Sequence, residues 1–285
     1  MSDAIAGALY VVATPIGNLD DLSFRAIRVL GEVALIAAED TRHSARLLRH
    51  LGLTVPMLSL HEHNEPARIE QLDARLLGGE SIALISDAGT PLISDPGFVL
   101  VRELRARGRR IIPIPGPCAL VAALSAAGLP TDRFLFQGFL PARSAGRRAR
   151  LEALVDREET LVFYESPHRI RDTLADLACT HQERQLVLAR ELTKTFETFL
   201  DGTAAGLLAR MDADPDQTRG EFVIMVAGAK PRTGEDAVSF EADALLSALL
   251  EEGVGVKQAA AVASRVLGGA KKGWYARTQT LKDGD

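Results

Sequence analysis

A chain of 285 residues that is 47% apolar and 25% charged can bury a sizeable core, and its balance excludes a disordered or fibrous protein. Its formal net charge of −5 argues against indiscriminate binding to nucleic acid, which depends on phosphate neutralisation. The only cysteines, Cys118 and Cys179, are far apart and form no CxxC, which excludes a disulfide framework and a cysteine zinc site and fits a reducing cytosol. The N-terminal apolar run lacks a basic flank and reads as a buried strand, not an export signal. No stretch approaches the roughly 18 apolar residues of a membrane helix. The expectation is a cytoplasmic protein with no membrane association.

In chain order, ALYVVAT, VALIAA, PMLSL, SIALIS and RIIPIP read as short strands. Between them, SFRAIRVLGE, RHSARLLRHLG, EPARIEQLDARLLGG and FVLVRELRARG place apolar residues three or four apart, the helical spacing. Such alternation indicates a parallel sheet with crossover helices. Ser23 is placed to cap the first helix and Gly52 to stop the second. After the helix CALVAALSAAG and the turn GLPTDR come RFLFQGFL, a basic helical stretch, TLVFYES, the helix HRIRDTLADLA, then RQLVLAREL, TFETFLDG and GEFVIMVAG. Several of these strands follow one another without a crossover, so the second sheet should be mixed. GAKPRTGEDAV reads as a linker, followed by the amphipathic helices FEADALLSALLEEG and GVKQAAAVASRVLG. The expected division is an α/β domain over 1–128, a second over 129–229, and a linker with a small helical module over 230–285. Arg102–Arg110, Arg143–Arg150 and Lys271–Arg277 are basic islands in an acidic chain.

The usual nucleotide cradles are absent: no Gly-rich turn ends in Lys-Ser/Thr, and the first strand runs into TPIGNLDD instead of GxGxxG. There is no GxSxG elbow. Polar clusters nevertheless fall at the C-terminal ends of the predicted strands, the edge where open α/β sheets bind ligands. AAEDTRHS offers Asp40 and Arg42, although Asp40 or Thr41 could equally cap the next helix. HEHNE offers His61, His63 and Asn64; nothing completes a metal site, and Asn64 is placed to cap a helix. YESPHRI offers Glu165, His168 and Arg169, with Pro167 at a helix start, and ARELTKTFE offers Arg190 and Lys194. SDAGTPLISDPG is dense in turn residues but has no Lys; Asp95 is placed as an N-cap with Pro96 at the first helical position, and Asp87 is the more suggestive carboxylate. These coincidences favour an enzyme or small-molecule binder.

LYVVATPIGNLDDLSFRAIRVL, AAEDTRHSARLL, LHEHNE, LISDAGTPLISDPG, PIPGPCALVAALSAAGL, LVFYESPHRI, RELTKTFE and GEFVIMVAG together resemble the ribosomal RNA small subunit methyltransferase I family of the tetrapyrrole-methylase-like superfamily. The resemblance spans nearly the whole chain. It implies two α/β domains with S-adenosylmethionine (SAM) between them, a homodimer, and methylation of a cytidine ribose 2′-oxygen in the decoding region of 16S rRNA on the small ribosomal subunit. No metal is implied. By position, Gly89, Thr90, Pro91 and Ser94 match the superfamily's cofactor turn, with Thr90 where an aspartate is usual. Cys118 and Ala119 match the cofactor-facing Pro-Gly segment, Pro15 and Gly17 replace a glycine-rich loop, and Tyr164 flanks the cofactor; Asp87 is added as a carboxylate near that turn. Asp40, Arg42, His63, Asn64, His168, Arg169 and Arg190 are the substrate candidates. Glu165 and Lys194 are candidate bases, Lys194 only if its pKa is depressed. A tetrapyrrole methyltransferase of the same fold and a non-catalytic RNA-binding subunit are the alternatives.

Overall fold

The computed structural model describes residues 7–61, 64–230 and 234–283, with the backbone alone for 234–241. The contacts divide the chain into two compact units, parting between Ala229 and Lys230.

The first unit contains two five-stranded sheets. One is formed by β1 (Ala8–Val12), β2 (Leu35–Ala38), β3 (Met57–Ser59), β4 (Ile82–Ile85) and β5 (Arg110–Ile114), in the order β3-β2-β4-β1-β5 and parallel throughout. The crossovers are α1 (Phe24–Glu32), α2 (Thr41–His50), α3 (Glu65–Leu77) and α4 (Phe98–Ala106). Ser23 accepts the Ala26 N–H and caps α1, as expected, and Gly52 follows α2 at φ 67°.

The central strands β1, β2 and β4 are apolar at every position because both faces are covered. Ala8, Tyr10, Val12, Ile36, Ala38, Ala83 and Ile85 pack against α1 and α2, whereas Leu9, Leu35, Ala37, Ile82 and Leu84 pack against α3 and α4. The neighbours β1 and β4 therefore send their following helices to opposite faces. A crevice opens between such strand ends, and it is here that this sheet carries its longest polar loops.

α5 (Ala119–Ala126) follows β5 but packs on the other sheet, its Leu120, Ala123 and Leu124 against Val162, Val187, Val223 and Met225. That sheet is β6 (Phe134–Phe139), β7 (Thr160–Glu165), β8 (Leu186–Arg190), β9 (Thr198–Gly202) and β10 (Phe222–Val226), ordered β6-β7-β10-β8-β9. Only β6 and β7 are parallel; the other pairs are antiparallel, so the mixed sheet expected from the short connections is present. Its opposite face, Leu161, Phe163, Leu186, Leu188 and Ile224, is covered by α6 (Ser144–Glu152), α7 (Ile170–Thr180) and α8 (Ala204–Ala213). The period-two division of each strand between two cores is what register requires.

Gly228, just past β10, leaves no room for a side chain: a Cβ there would lie 1.8 Å from the Glu158 carbonyl oxygen. Gly228→Ala should therefore cost about 3 kcal/mol by overpacking against backbone that cannot yield. Thermal unfolding of the purified variant measures this; a wild-type Tm would show that the segment at Glu158, just before β7, moves freely.

The second unit is α9 (Gly234–Glu251), α10 (Val256–Val266) and α11 (Lys271–Asp283). The linker expected over 228–238 is thus shorter, because α9 already begins at Gly234. Leu246, Ala259 and Ala263 form its core, with Trp274 and Leu281 against them. The Trp274 indole N–H donates to the Gly268 carbonyl at 2.6 Å, and Arg277 pairs with Asp243 at 2.5 Å.

Candidate functional site

The loops after β1, β4 and β5 are stitched to one another by backbone-directed bonds. Thr14 and Gly89 exchange N–H···O bonds of 2.9 and 3.0 Å, and the Thr14 hydroxyl donates to the Ser86 carbonyl at 3.2 Å. The Thr90 hydroxyl donates to the Pro117 carbonyl at 2.9 Å. Gly89, Leu92, Ser94 and Gly97 all have φ between 70 and 118°, so the 89–97 segment coils on itself in a conformation that costs energy at Leu92 and Ser94. The second sheet meets it at Gly138 in β6, φ 63°, where the strand slips register; a Cβ there would lie 3.1 Å from the Ser94 hydroxyl.

Between these loops and the ends of β7, β8 and β10 lies a cavity of about 300 Å³. Among the described residues its wall is largely apolar, with Asp95, Glu165 and Glu221 as its charged residues and no Lys or Arg. Of the cofactor candidates, Gly89, Thr90, Ser94, Cys118, Ala119 and Tyr164 line it. Pro15, Gly17, Asp87 and Pro91 do not. Pro91 is buried within the coil, and Pro15 and Asp87 line a separate hollow. Gly17 instead makes room for Lys194, whose Cγ would lie 2.4 Å from a Cβ at Gly17.

The Tyr164 hydroxyl accepts the Leu120 N–H at 3.1 Å, satisfying a free donor at the start of α5, and its ring meets Phe136 and Phe139 edge-on. Burial, then the Cys118 thiol, raises the phenol pKa, so Tyr164 stays protonated.

Both candidate bases prove to be otherwise engaged. Lys194 pairs with Glu191 and Glu221, each at 2.9 Å, and these carboxylates outweigh burial and raise its pKa. This is the reverse of the depression a lysine base needs, and it corrects the expectation for Lys194. The Glu165 side chain is fully buried; it accepts the Thr173 hydroxyl at 2.7 Å and the Ser166 N–H at 2.8 Å, and Arg169 Nε lies 3.4 Å away. A carboxylate so committed positions the 166–169 turn and is not exposed to take a proton.

The substrate candidates scatter. Arg190 is buried and donates to the Arg219 and Asp216 carbonyls at 2.6 and 3.1 Å, which clamps the 215–219 turn and leaves it unsuited to phosphate. Arg169 donates to the Leu140 and Pro141 carbonyls. Asp40 caps α2 through the Arg42 N–H at 2.8 Å and pairs with exposed Arg42 at 2.9 Å, so the capping alternative is realised. Asn64 stands at the N-cap of α3 but turns away from it, accepting from the His61 N–H and donating to the Ser59 carbonyl. His168 is exposed in the turn before α7, which starts at Ile170 and not at Pro167. His63 lies outside the described residues.

The residue that sequence reasoning misplaced is Asp95. α4 begins at Phe98 with Gly97 at its N-cap, so Asp95 caps nothing and faces the cavity. Burial is the main cause that pushes its pKa up to about 6, with the charges of Glu39 and Asp87 adding and a Ser86 hydrogen bond opposing. The Asp-Pro pair mimics a helix start; the preceding run of turn residues was the only hint that the chain is still coiled there. Glu221 was also missed, hidden before an apolar strand.

Residues 8–208 match the model of the Tetrapyrrole (Corrin/Porphyrin) Methylases, and residues 236–282 match that of the RsmI C-terminal HTH domain. The chain is 56% identical over 271 residues to the Ribosomal RNA small subunit methyltransferase I of Pseudomonas aeruginosa, covering 95% of this chain and 96% of that protein. It is 50% identical to the protein of the same name from Escherichia coli O157:H7, over 96% and 95% of the two chains. Among solved structures, uroporphyrin-III-C-methyltransferase from Thermus thermophilus superposes with a TM-score of 0.55 at 22% identity, over 78% of this chain and 94% of that one. The methyltransferase CobJ gives 0.57 at 21% identity, over 79% and 95%. The two-sheet fold expected from the sequence is therefore that of the tetrapyrrole methyltransferases, and the chain belongs to the tetrapyrrole methylase family, in its ribosomal RNA small subunit methyltransferase I branch.

Proposed function

We propose that this protein transfers the methyl group of SAM to the ribose 2′-oxygen of a cytidine in the decoding region of 16S rRNA, acting in the cytoplasm as a homodimer on the small ribosomal subunit. The observation that carries the reading is the cavity at the joined sheet ends, lined by carboxylates and free of cationic side chains, in a chain so close to proteins named for that substrate.

The cavity suits SAM, which bears a sulfonium and an ammonium. A wall with acids and no cations favours both charges, and its volume is at the lower end for small-molecule sites. The coil around Gly89, Thr90 and Ser94 and the start of α5 at Cys118 and Ala119 would hold the cofactor, with Tyr164 closing one side. Bound there, SAM supplies the reactive methyl. The chain's own task is to align the attacking hydroxyl, exclude water and accept a proton. A ribose hydroxyl is a weak nucleophile, so a carboxylate that titrates near neutrality is a better base than an ordinary one. Asp95 fills that role: it lines the cavity and is ionised at pH 7, with a pKa of about 6.

The reading is tested by incubating the protein with methyl-labelled SAM and small ribosomal subunits from a strain lacking the modification. Label at a cytidine 2′-oxygen is expected. Label only on an added tetrapyrrole, or none, refutes the proposal.

A further inference from the structure

The cavity of about 300 Å³ shares a wall with a second hollow of about 190 Å³. The wall is the Thr14–Gly89 bridge: Ile16, Ala88 and Gly89 face the cavity, while Thr14, Ser86 and Asp87 face the hollow. The far side of the hollow is α2, which contributes His43, Arg46 and His50, one turn apart in succession on one flank, with Ser44 beside them.

Two independent features mark it as a ligand site. Ser44 is 2% exposed, and its hydroxyl has no hydrogen-bond partner among the described residues. A native structure rarely leaves such a group unsatisfied, since the loss costs about 1–3 kcal/mol. The second feature is charge. The segment Thr41–His50 holds Arg42, Arg46, Arg49 and two histidines and no carboxylate. Several arginines of the basic islands are tied into ion pairs, Arg147 and Arg148 sharing Asp176 and Arg107 and Arg109 sharing Asp73, and within α2 Arg42 pairs with Asp40. Arg46 and His50 are exposed at the rim of the hollow and enter none of these pairs.

We infer that this hollow is a subsite for one nucleotide of the RNA strand that flanks the methylated residue, and the inference rests on the RNA reading above. The phosphate lies toward Arg46 and the imidazoles. The Ser44 hydroxyl supplies a further donor. Asp87, whose Oδ1 already accepts the Asp40 N–H at 3.1 Å, faces the amino or hydroxyl donors of the nucleoside. Half-exposed Leu19 at the rim gives the base an apolar surface. A site with a guanidinium and imidazoles on one wall and a carboxylate on the other suits a nucleotide better than a simple anion.

The test titrates the full chain with unmethylated small ribosomal subunits at several salt concentrations and measures SAM affinity in parallel by calorimetry. The double variant Arg46→Ala/His50→Ala should weaken subunit binding about tenfold and reduce the slope of log K against log salt by about one, with SAM affinity unchanged. Ser44→Ala should weaken binding severalfold without lowering Tm. Arg105→Ala, on α4 across the sheet, should match wild type. Wild-type binding and slope in the double variant overturn the inference alone, as does an equal loss in Arg105→Ala, which would report diffuse charge. Wild-type protein that binds SAM but not subunits overturns the RNA reading and this inference with it.

Discussion

Asp95→Asn is expected to abolish most methyl transfer while making the protein more stable. The carboxyl titrates at about 6 in the fold against 3.8 when free, because burial disfavours its charge. A carboxylate with a raised pKa stabilises the fold only in its protonated form. That contribution is complete below the free value of 3.8 and is lost as pH rises through about 6. At neutral pH the ionised group is a cost. In full, such a displacement approaches about 3 kcal/mol, and solvent screening at this incompletely buried group reduces it to about 1 kcal/mol. The asparagine variant removes that cost, so Tm should rise by about 3 °C. Turnover should fall about 10²–10⁴-fold, the usual worth of a general base, with a much smaller loss of SAM affinity from the removed charge. The wild-type rate should climb through pH 6 and level off, and the variant should lose that inflection. Near-wild-type turnover, or a loss confined to SAM affinity, would remove Asp95 from the role. A group that costs stability and lines the ligand cavity is the pattern expected of a functional residue.

Glu165→Ala should act in the opposite sense, lowering stability first and activity as a consequence. Its removal strips the acceptor from the Thr173 hydroxyl and the Ser166 N–H and leaves the Arg169 guanidinium without its counter-charge. Breaking a buried pair from one side costs about 3–5 kcal/mol, which corresponds to a fall in Tm on the order of 10 °C. Glu165→Gln keeps an acceptor for the Ser166 N–H, and its amide NH2 can donate to the Thr173 hydroxyl, which accepts in its turn, so it should retain most of the stability and most of the turnover. If Glu165 were the base, Glu165→Gln would lose turnover at an unchanged Tm, so the pair of variants separates positioning from proton transfer.

Much of the architecture was readable before any coordinates. The central strands emerge as apolar runs because they are buried on both faces, whereas the edge strands, such as β9 with Asp201, carry a weaker signal. Helix limits were less legible where turn chemistry imitates a cap. Asp95-Pro96 and Ser166-Pro167 both look like helix starts, yet α4 and α7 begin at Phe98 and Ile170. In each case the chain makes an extra turn at the cavity wall, where Asp95, Ser166 and Pro167 line the site. The local preference was real, but contacts with the opposite sheet override it.

The site was half legible. Gly89, Thr90, Ser94, Cys118, Ala119 and Tyr164 reach the cavity because they sit at strand ends, and strand ends follow from hydrophobic pattern alone. The charged candidates fared worse, since a charge in a sequence carries no record of its partner. Arg190, Arg169 and Lys194 look available until the fold supplies carbonyls and carboxylates from 20 or more residues away.

The order and periodicity of apolar residues were therefore enough to specify two α/β layers, a mixed second sheet and the edge at which a ligand would sit, because burial is decided locally by which side chains avoid water. Which ionisable groups are spent on structure and which remain for chemistry was decided only by folding. Asp95 beside Ser86 and Lys194 between Glu191 and Glu221 are relations between distant segments, and a pKa or a hydrogen bond exists only once those segments meet.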